Sequence, residues 1–315
     1  MLEQFRQDVL AGLSASPKYL PSRYFYDAKG DALFQQIMAL PEYYLTRAEM
    51  EIFTQQAAAI CENIPLAGSL QVFELGAGDG LKTIELLRQL TAAGHSVQYC
   101  PIDISANALE LLAANIRQAD LPLQFNPICN TYLDALAEIP LNPDQPKLLL
   151  FLGSNLGNLT HPQAIDLLHK IAQRMTPQDN FLLGIDLMKD PATILAAYND
   201  QQQVTAQFNL NLLQRINREL GGDFDLNQFI HYPLYNPETG TTYSYLVSKI
   251  AQNIYIDSLG RTFRFEAWET IHTEISQKYS LPMIRQFCKT AGLNLQEVFL
   301  DSQAQFAVCR MGKNM

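Results

Sequence analysis

The chain has 315 residues, 48% of them hydrophobic, which is enough to bury a large core and long enough for two modest domains. A formal net charge of -10 offers phosphate backbones and anionic lipid no general attraction, and no local basic patch compensates. No run of about 18 or more apolar residues appears, and Met1-Leu2-Glu3-Gln4-Phe5-Arg6 lacks the layout of a signal peptide. The chain is therefore read as a cytoplasmic monomer that binds neither nucleic acid nor membrane. Its five cysteines are scattered, without zinc-site spacing, so free and mostly buried thiols are expected and no metal site.

In chain order, Phe5, Val9, Leu10 and Leu13 form the apolar stripe of a first helix, followed by the aromatic stretch Tyr24-Phe25-Tyr26. From about Leu70 to Asp190, apolar runs alternate with helix-period segments, the pattern of βαβ units around a parallel sheet. Gln71 to Leu75 reads as a strand, Leu81 to Leu90 as a helix closed near Gly94, and Val97 to Ile102 as the next strand. Ser105 can cap a helix facing inward through Leu109, Leu112 and Ile116. Lys147 to Leu152 is apolar enough for a central strand covered on both faces, and Phe181 to Ile185 is another buried strand. Pro162 suits the first turn of a helix between them. The rhythm then breaks into one long helical segment, Ile194 to Leu220, and alternating runs such as Tyr243 to Val247 and Thr262 to Phe265: an inserted α+β lobe. A helix from Leu281 to Thr290 and a hairpin, Gln296 to Leu300 with Gln305 to Met311, would complete the first sheet with an antiparallel edge.

Glu74-Leu75-Gly76-Ala77-Gly78-Asp79-Gly80 falls between a predicted strand and a predicted helix, where missing side chains let a ligand approach the helix N-terminus. Asp103, at the end of the next strand, can accept both hydroxyls of a ribose. Leu81 stands where a dinucleotide fingerprint needs its last glycine, and Glu74 would oppose a pyrophosphate while suiting a sulfonium. S-adenosylmethionine is the cofactor these features favour over a nicotinamide or flavin.

Several stretches go beyond a glycine motif: Tyr24 to Gly30, Leu40 to Glu49, Glu74 to Thr83, Phe151 to Thr160 and Thr273 to Lys278. With them the chain resembles the histidine alpha-N-methyltransferases of ergothioneine biosynthesis, which trimethylate histidine to hercynine. The resemblance implies a Rossmann-like class I methyltransferase domain over 48–188 and 279–315, and an α+β substrate-binding lobe over 1–47 and 189–278. It implies cofactor contacts from Gly76, Gly78, Lys82, Asp103, Thr131 and Tyr132, and substrate contacts from Tyr26, Tyr43, Asn158, Tyr198, Glu274 and Ser276. Thr131 replaces an acidic residue common in the family near the adenine, and Ser244 replaces a methionine of the side-chain pocket.

Methyl transfer to an amine needs a neutral nitrogen lone pair about 3 to 3.5 Å from the sulfonium methyl, so positioning can supply most of the catalysis. Glu274 and Ser276, two apart on an extended segment, share a face and can grip an imidazole; Asn158 and Tyr198 can donate to a carboxylate; Tyr26 and Tyr43 offer ring faces to an ammonium. No residue is assigned as a catalytic base: His272 reads as a packing histidine, and proton loss to solvent before binding is the expectation. Taken singly, the tyrosines read as packing aromatics, Glu274 and Ser276 as strand residues, and Asn158 as a turn residue. The alternatives are methylation of another amino acid, such as a tryptophan derivative, and a non-catalytic module that keeps the cofactor fold.

Overall fold

In the computed structural model, which describes residues 2–62, 64 and 69–314, the chain opens with helix α1 (Leu2–Ser14). Phe5, Val9 and Leu13 are buried as their spacing requires, but Leu10, about 100° around the helix from Val9, remains 36% exposed. Next come β1 (Lys18–Tyr19), α2 (Ala28–Ala39) and α3 (Tyr44–Cys61). Strands and helices then alternate: β2 (Ser69–Leu75), α4 (Leu81–Ala92), β3 (Ser96–Asp103), α5 (Ala106–Ala119), β4 (Leu123–Phe125), β5 (Ile128–Cys129), α6 (Tyr132–Glu138), β6 (Lys147–Phe151), α7 (His161–Gln173) and β7 (Asn180–Asp186). They are followed by α8 (Pro191–Tyr198), α9 (Val204–Leu220), β8 (Phe229–Asn236), β9 (Thr241–Ser248), β10 (Gln252–Ile256), β11 (Arg261–Phe265) and β12 (Thr270–Gln277). The series closes with α10 (Leu281–Ala291), β13 (Leu293–Leu300) and β14 (Phe306–Lys313).

The chain divides into two compact units, Met1–Tyr44 with Lys189–Ser276, and Leu45–Met188 with Gln277–Met315. The second holds a sheet in the order β13-β14-β7-β6-β2-β3-β4, with β5 also on β3. Strands β7, β6, β2 and β3 run parallel, while β14 is antiparallel to both β7 and β13. Every residue of β6 is buried, which is why its sequence is a continuous apolar run. Its one charge, Lys147, is neutralised by Asp179 at 2.9 Å, with both side chains fully buried. Because β3 lies on one side of β2 and β6 on the other, the winding reverses between β2 and β6, and a crevice opens at their carboxyl ends.

The first unit is built on the sheet β1-β12-β9-β8, with the hairpin β10-β11 beside it. Helix α9 supplies Phe208, Leu212 and Ile216 to a core shared with Phe5, Phe25, Leu246 and Ile271. The single helical segment expected from Ile194 to Leu220 is two helices. Gln203 takes a left-handed φ of 59°, and the buried carboxylate of Asp200 accepts from the amides of Val204 at 2.8 Å and Thr205 at 2.9 Å. Donors that a continuous helix would satisfy internally are thus taken by a side chain, and α9 starts afresh. The break leaves Tyr198 as the last residue of α8.

All five cysteines are free and only Cys129 is exposed. Among the described residues, no helix is long and apolar enough to cross a membrane. Replacing Asp200 by alanine should lower stability by about 1–2 kcal/mol through the lost cap, read as a lower urea midpoint; an unchanged midpoint would mean that the amides of Val204 and Thr205 find other acceptors.

Candidate active site

The loop between β2 and α4 is pinned beneath and open above. The amides of Gly76 and Ala77 both donate to the Ile102 carbonyl, at 2.8 and 3.2 Å, folding the loop across the end of β3. Gly78 has a φ of 57°, and a Cβ there would meet nothing within 4 Å. Its left-handed conformation favours glycine, and the space beside it is free for a ligand. Asp103, the last residue of β3, accepts from Gly78 N at 3.0 Å and from Ser105 N at 2.9 Å. One side chain thus fixes the loop, and a carboxylate at this strand end can accept a pair of ribose hydroxyls. An open glycine loop with a carboxylate at the neighbouring strand end fits a nucleoside-containing cofactor.

Glu74 does not face that space, contrary to the reading that set it against a ligand. It is only 2% exposed; it accepts from Thr83 Oγ1 at 2.7 Å and from the Tyr99 hydroxyl, tying β2 to α4 and β3 beneath the loop. Burial pushes its carboxyl up to about 7 despite the two hydrogen bonds. The preference for a sulfonium cofactor then rests on the glycine spacing and Leu81.

Lys82, in the first turn of α4, pairs with Glu49 of α3, a residue that motif reading leaves without a role. The Glu49 carboxylate also accepts from the Gly153 amide, at 2.9 and 3.1 Å. Asn155 is drawn into the same crevice, since its Nδ2 lies 3.1 Å from where a Cβ on Gly76 would be. Thr131 caps α6: its hydroxyl accepts from Asp134 N at 3.2 Å and donates to Asp134 Oδ2 at 2.7 Å. Tyr132 follows, half-buried, its ring 5.5 Å from that of Phe151.

In the first unit, Glu274 and Ser276 both lie on β12. Thr273 fixes that strand: its hydroxyl lies 2.8 Å from Asn209 Oδ1 of α9 and 3.0 Å from the Ser244 carbonyl of β9, between which its single hydrogen is shared. Tyr198 donates to Ser276 Oγ at 2.8 Å, a buried contact that no sequence spacing announces. Tyr26 and Tyr43 are brought together through Phe34, edge-on to it at 5.8 and 6.3 Å between ring centres. Tyr24 is a packing residue, buried against Phe5 with its hydroxyl on Asp8. His272 is half-buried, its Nε2 3.1 Å from the Glu274 carbonyl, and burial holds its pKa below the ordinary imidazole value. Asn158 belongs to the second unit, next to Gly157, whose Cα packs against the Gln277 backbone.

The state of Glu74 gives a test. Its folded-state pKa of about 7 exceeds the 4.5 of an unperturbed glutamate, so the folded protein binds the proton more tightly. Stability should therefore fall as pH rises through that interval, by on the order of 3 kcal/mol. Urea midpoints of the Glu74→Gln variant should change less than those of the parent between about pH 5 and pH 8; identical pH dependence would place the titrating group elsewhere.

Comparison with known proteins agrees with this geometry. The sequence model of a family described as histidine-specific, SAM-dependent methyltransferases matches residues 5–313. The chain is 36% identical over 306 residues to histidine N-alpha-methyltransferase of Mycolicibacterium smegmatis, covering 97% of this chain and 94% of that protein. It is equally 36% identical over 308 residues to the protein of that name from Mycobacterium tuberculosis, covering 98% and 94%. Among solved structures, the mitomycin 7-O-methyltransferase MmcR superposes with a TM-score of 0.50 at 13% identity, over 99% of this chain and 66% of that one, a likeness of fold alone. With its doubly wound sheet and open glycine loop, the chain belongs to the histidine-specific, S-adenosylmethionine-dependent methyltransferase family and has the class I methyltransferase fold.

Proposed function

We propose that the enzyme methylates the α-amino nitrogen of L-histidine, three times in succession, to give hercynine. The observation that carries this reading is the 36% identity to a histidine N-alpha-methyltransferase along 97% of the chain. S-adenosylmethionine, when bound, supplies an electrophilic methyl on a sulfonium. Gly76 and Gly78 let the loop backbone approach it, Asp103 accepts its ribose hydroxyls, and Lys82 meets its one anionic group, the amino-acid carboxylate. Thr131 and Tyr132, at the start of α6, would contact the cofactor on its adenosine side.

Glu274 accepts an imidazole N–H, and the Ser276 hydroxyl, held by its bond to Tyr198, serves the other ring nitrogen as donor or acceptor. Asn158 donates to the substrate carboxylate without a cation that would compete for it, while the Tyr198 hydroxyl is committed to Ser276. The rings of Tyr26 and Tyr43 face the ammonium as it gains methyl groups, where cation–π attraction replaces the N–H bonds lost at each step. No side chain is assigned to remove the proton: His272 has its Nε2 on a backbone carbonyl, and the route proposed is proton loss to solvent before the amine binds.

The reading is tested at Glu274. Replacing it by alanine should lower kcat/KM for histidine by roughly 10- to 100-fold, the scale of a lost charged hydrogen bond, with cofactor affinity unchanged. Ser244, which the family resemblance sets where a methionine is common, is buried at 2% exposure on β9, so thermal-shift measurements with histidine and tryptophan accompany that variant. Stabilisation by tryptophan alone, or full activity of the alanine variant on histidine, would contradict the assignment.

A further inference from the structure

Glu49 has its carboxylate in the crevice between β2 and β6 without facing the ligand space. It is 1% exposed, and its oxygens accept from Lys82 Nζ and from the Gly153 amide. The fold makes room for it: a Cβ on Gly184 of β7 would come within 2.2 Å of Glu49 Oε1. Lys82 Nζ lies 3.6 Å from where a Cβ on Gly153 would be, so the ammonium sits against the turn that follows β6. Glu49 thus joins α3, the first turn of α4 and that turn at the place where the sheet reverses its winding.

We propose that Glu49 is a positioning residue for the amino-acid end of the cofactor, acting through Lys82 and the Gly153 turn. The proposal rests on the reading that Lys82 meets the cofactor carboxylate. Glu49 fixes where the ammonium stands and stops the flexible lysine stem from swinging into solvent, so binding costs less ordering. It also keeps the ammonium charged: burial works to lower the Lys82 pKa, and the adjacent carboxylate outweighs it and holds the value above that of an ordinary lysine.

The experiment measures, by calorimetry, the binding of S-adenosylhomocysteine, which has the amino-acid end, and of methylthioadenosine, which lacks it. Glu49→Gln keeps the size and one acceptor for Gly153 and removes the charge. It should weaken S-adenosylhomocysteine roughly tenfold, the scale of a lost charge-assisted hydrogen bond, and leave methylthioadenosine unchanged. Lys82→Met should show the same selective loss, and the double variant should bind no more weakly than Lys82→Met alone. An equal loss for both ligands in Glu49→Gln would reduce Glu49 to a structural residue and overturn the proposal. Full affinity in Glu49→Gln together with selective loss in Lys82→Met would overturn it while leaving the Lys82 reading intact. Full affinity in Lys82→Met would overturn that reading and the proposal with it. If Glu49→Gln does not fold, Glu49→Asp, one methylene shorter with the charge kept, carries the same ligand comparison.

Discussion

The loop after β2 must stay open toward a ligand while its backbone is held from below, and buried or half-buried carboxylates do the holding. Glu74 anchors it through Thr83 and Tyr99, Asp103 through the Gly78 amide, and Glu49 ties the adjacent Lys82 and Gly153. Each carboxylate meets donors from more than one element, so none is left as an isolated buried charge, whose desolvation would cost several kcal/mol. The cost of burial remains visible in the raised pKa of Glu74. A loop held in this way has its shape set by the protein's own hydrogen bonds, which is what catalysis by positioning requires.

The same logic operates in the first unit, with neutral groups. Tyr198 and Ser276 satisfy one another, and Thr273 bonds to Asn209 and to the Ser244 carbonyl. These contacts fix β12 from α8, α9 and β9, so Glu274 is carried on a strand whose neighbours leave it little freedom. Tyr26 packs edge-on to Phe34 and Phe208, and Tyr43 edge-on to Phe34, the arrangement favoured by ring quadrupoles, and both tyrosine rings are half-buried.

Much of the second unit was legible because buried parallel strands leave continuous apolar runs: β6 and β7 declare themselves in Lys147 to Phe151 and Phe181 to Ile185. The glycine loop and Asp103 were legible because their chemistry is local. The division of the 194–220 segment was not, since the residues between Tyr198 and Val204 include neither glycine nor proline and the stop depends on how Asp200 folds back. Glu74 was misdirected because an acid beside a glycine turn can point either way, and only its buried partners decide. Glu49 and the Tyr198–Ser276 pair escaped because their partners are distant in sequence: 33 and 104 positions for Glu49, 78 for the pair. Local motifs carry chemistry, whereas the contacts that aim it belong to the fold.

The proposed reaction places successive methyl groups on the α-nitrogen of histidine. Incubating the purified protein with S-adenosylmethionine and each amino acid separately, and following substrate mass by spectrometry, tests it most directly. Histidine should gain methyl increments up to three, with fragment ions placing all of them on the α-nitrogen; no gain on histidine with gain on another amino acid would contradict that reaction.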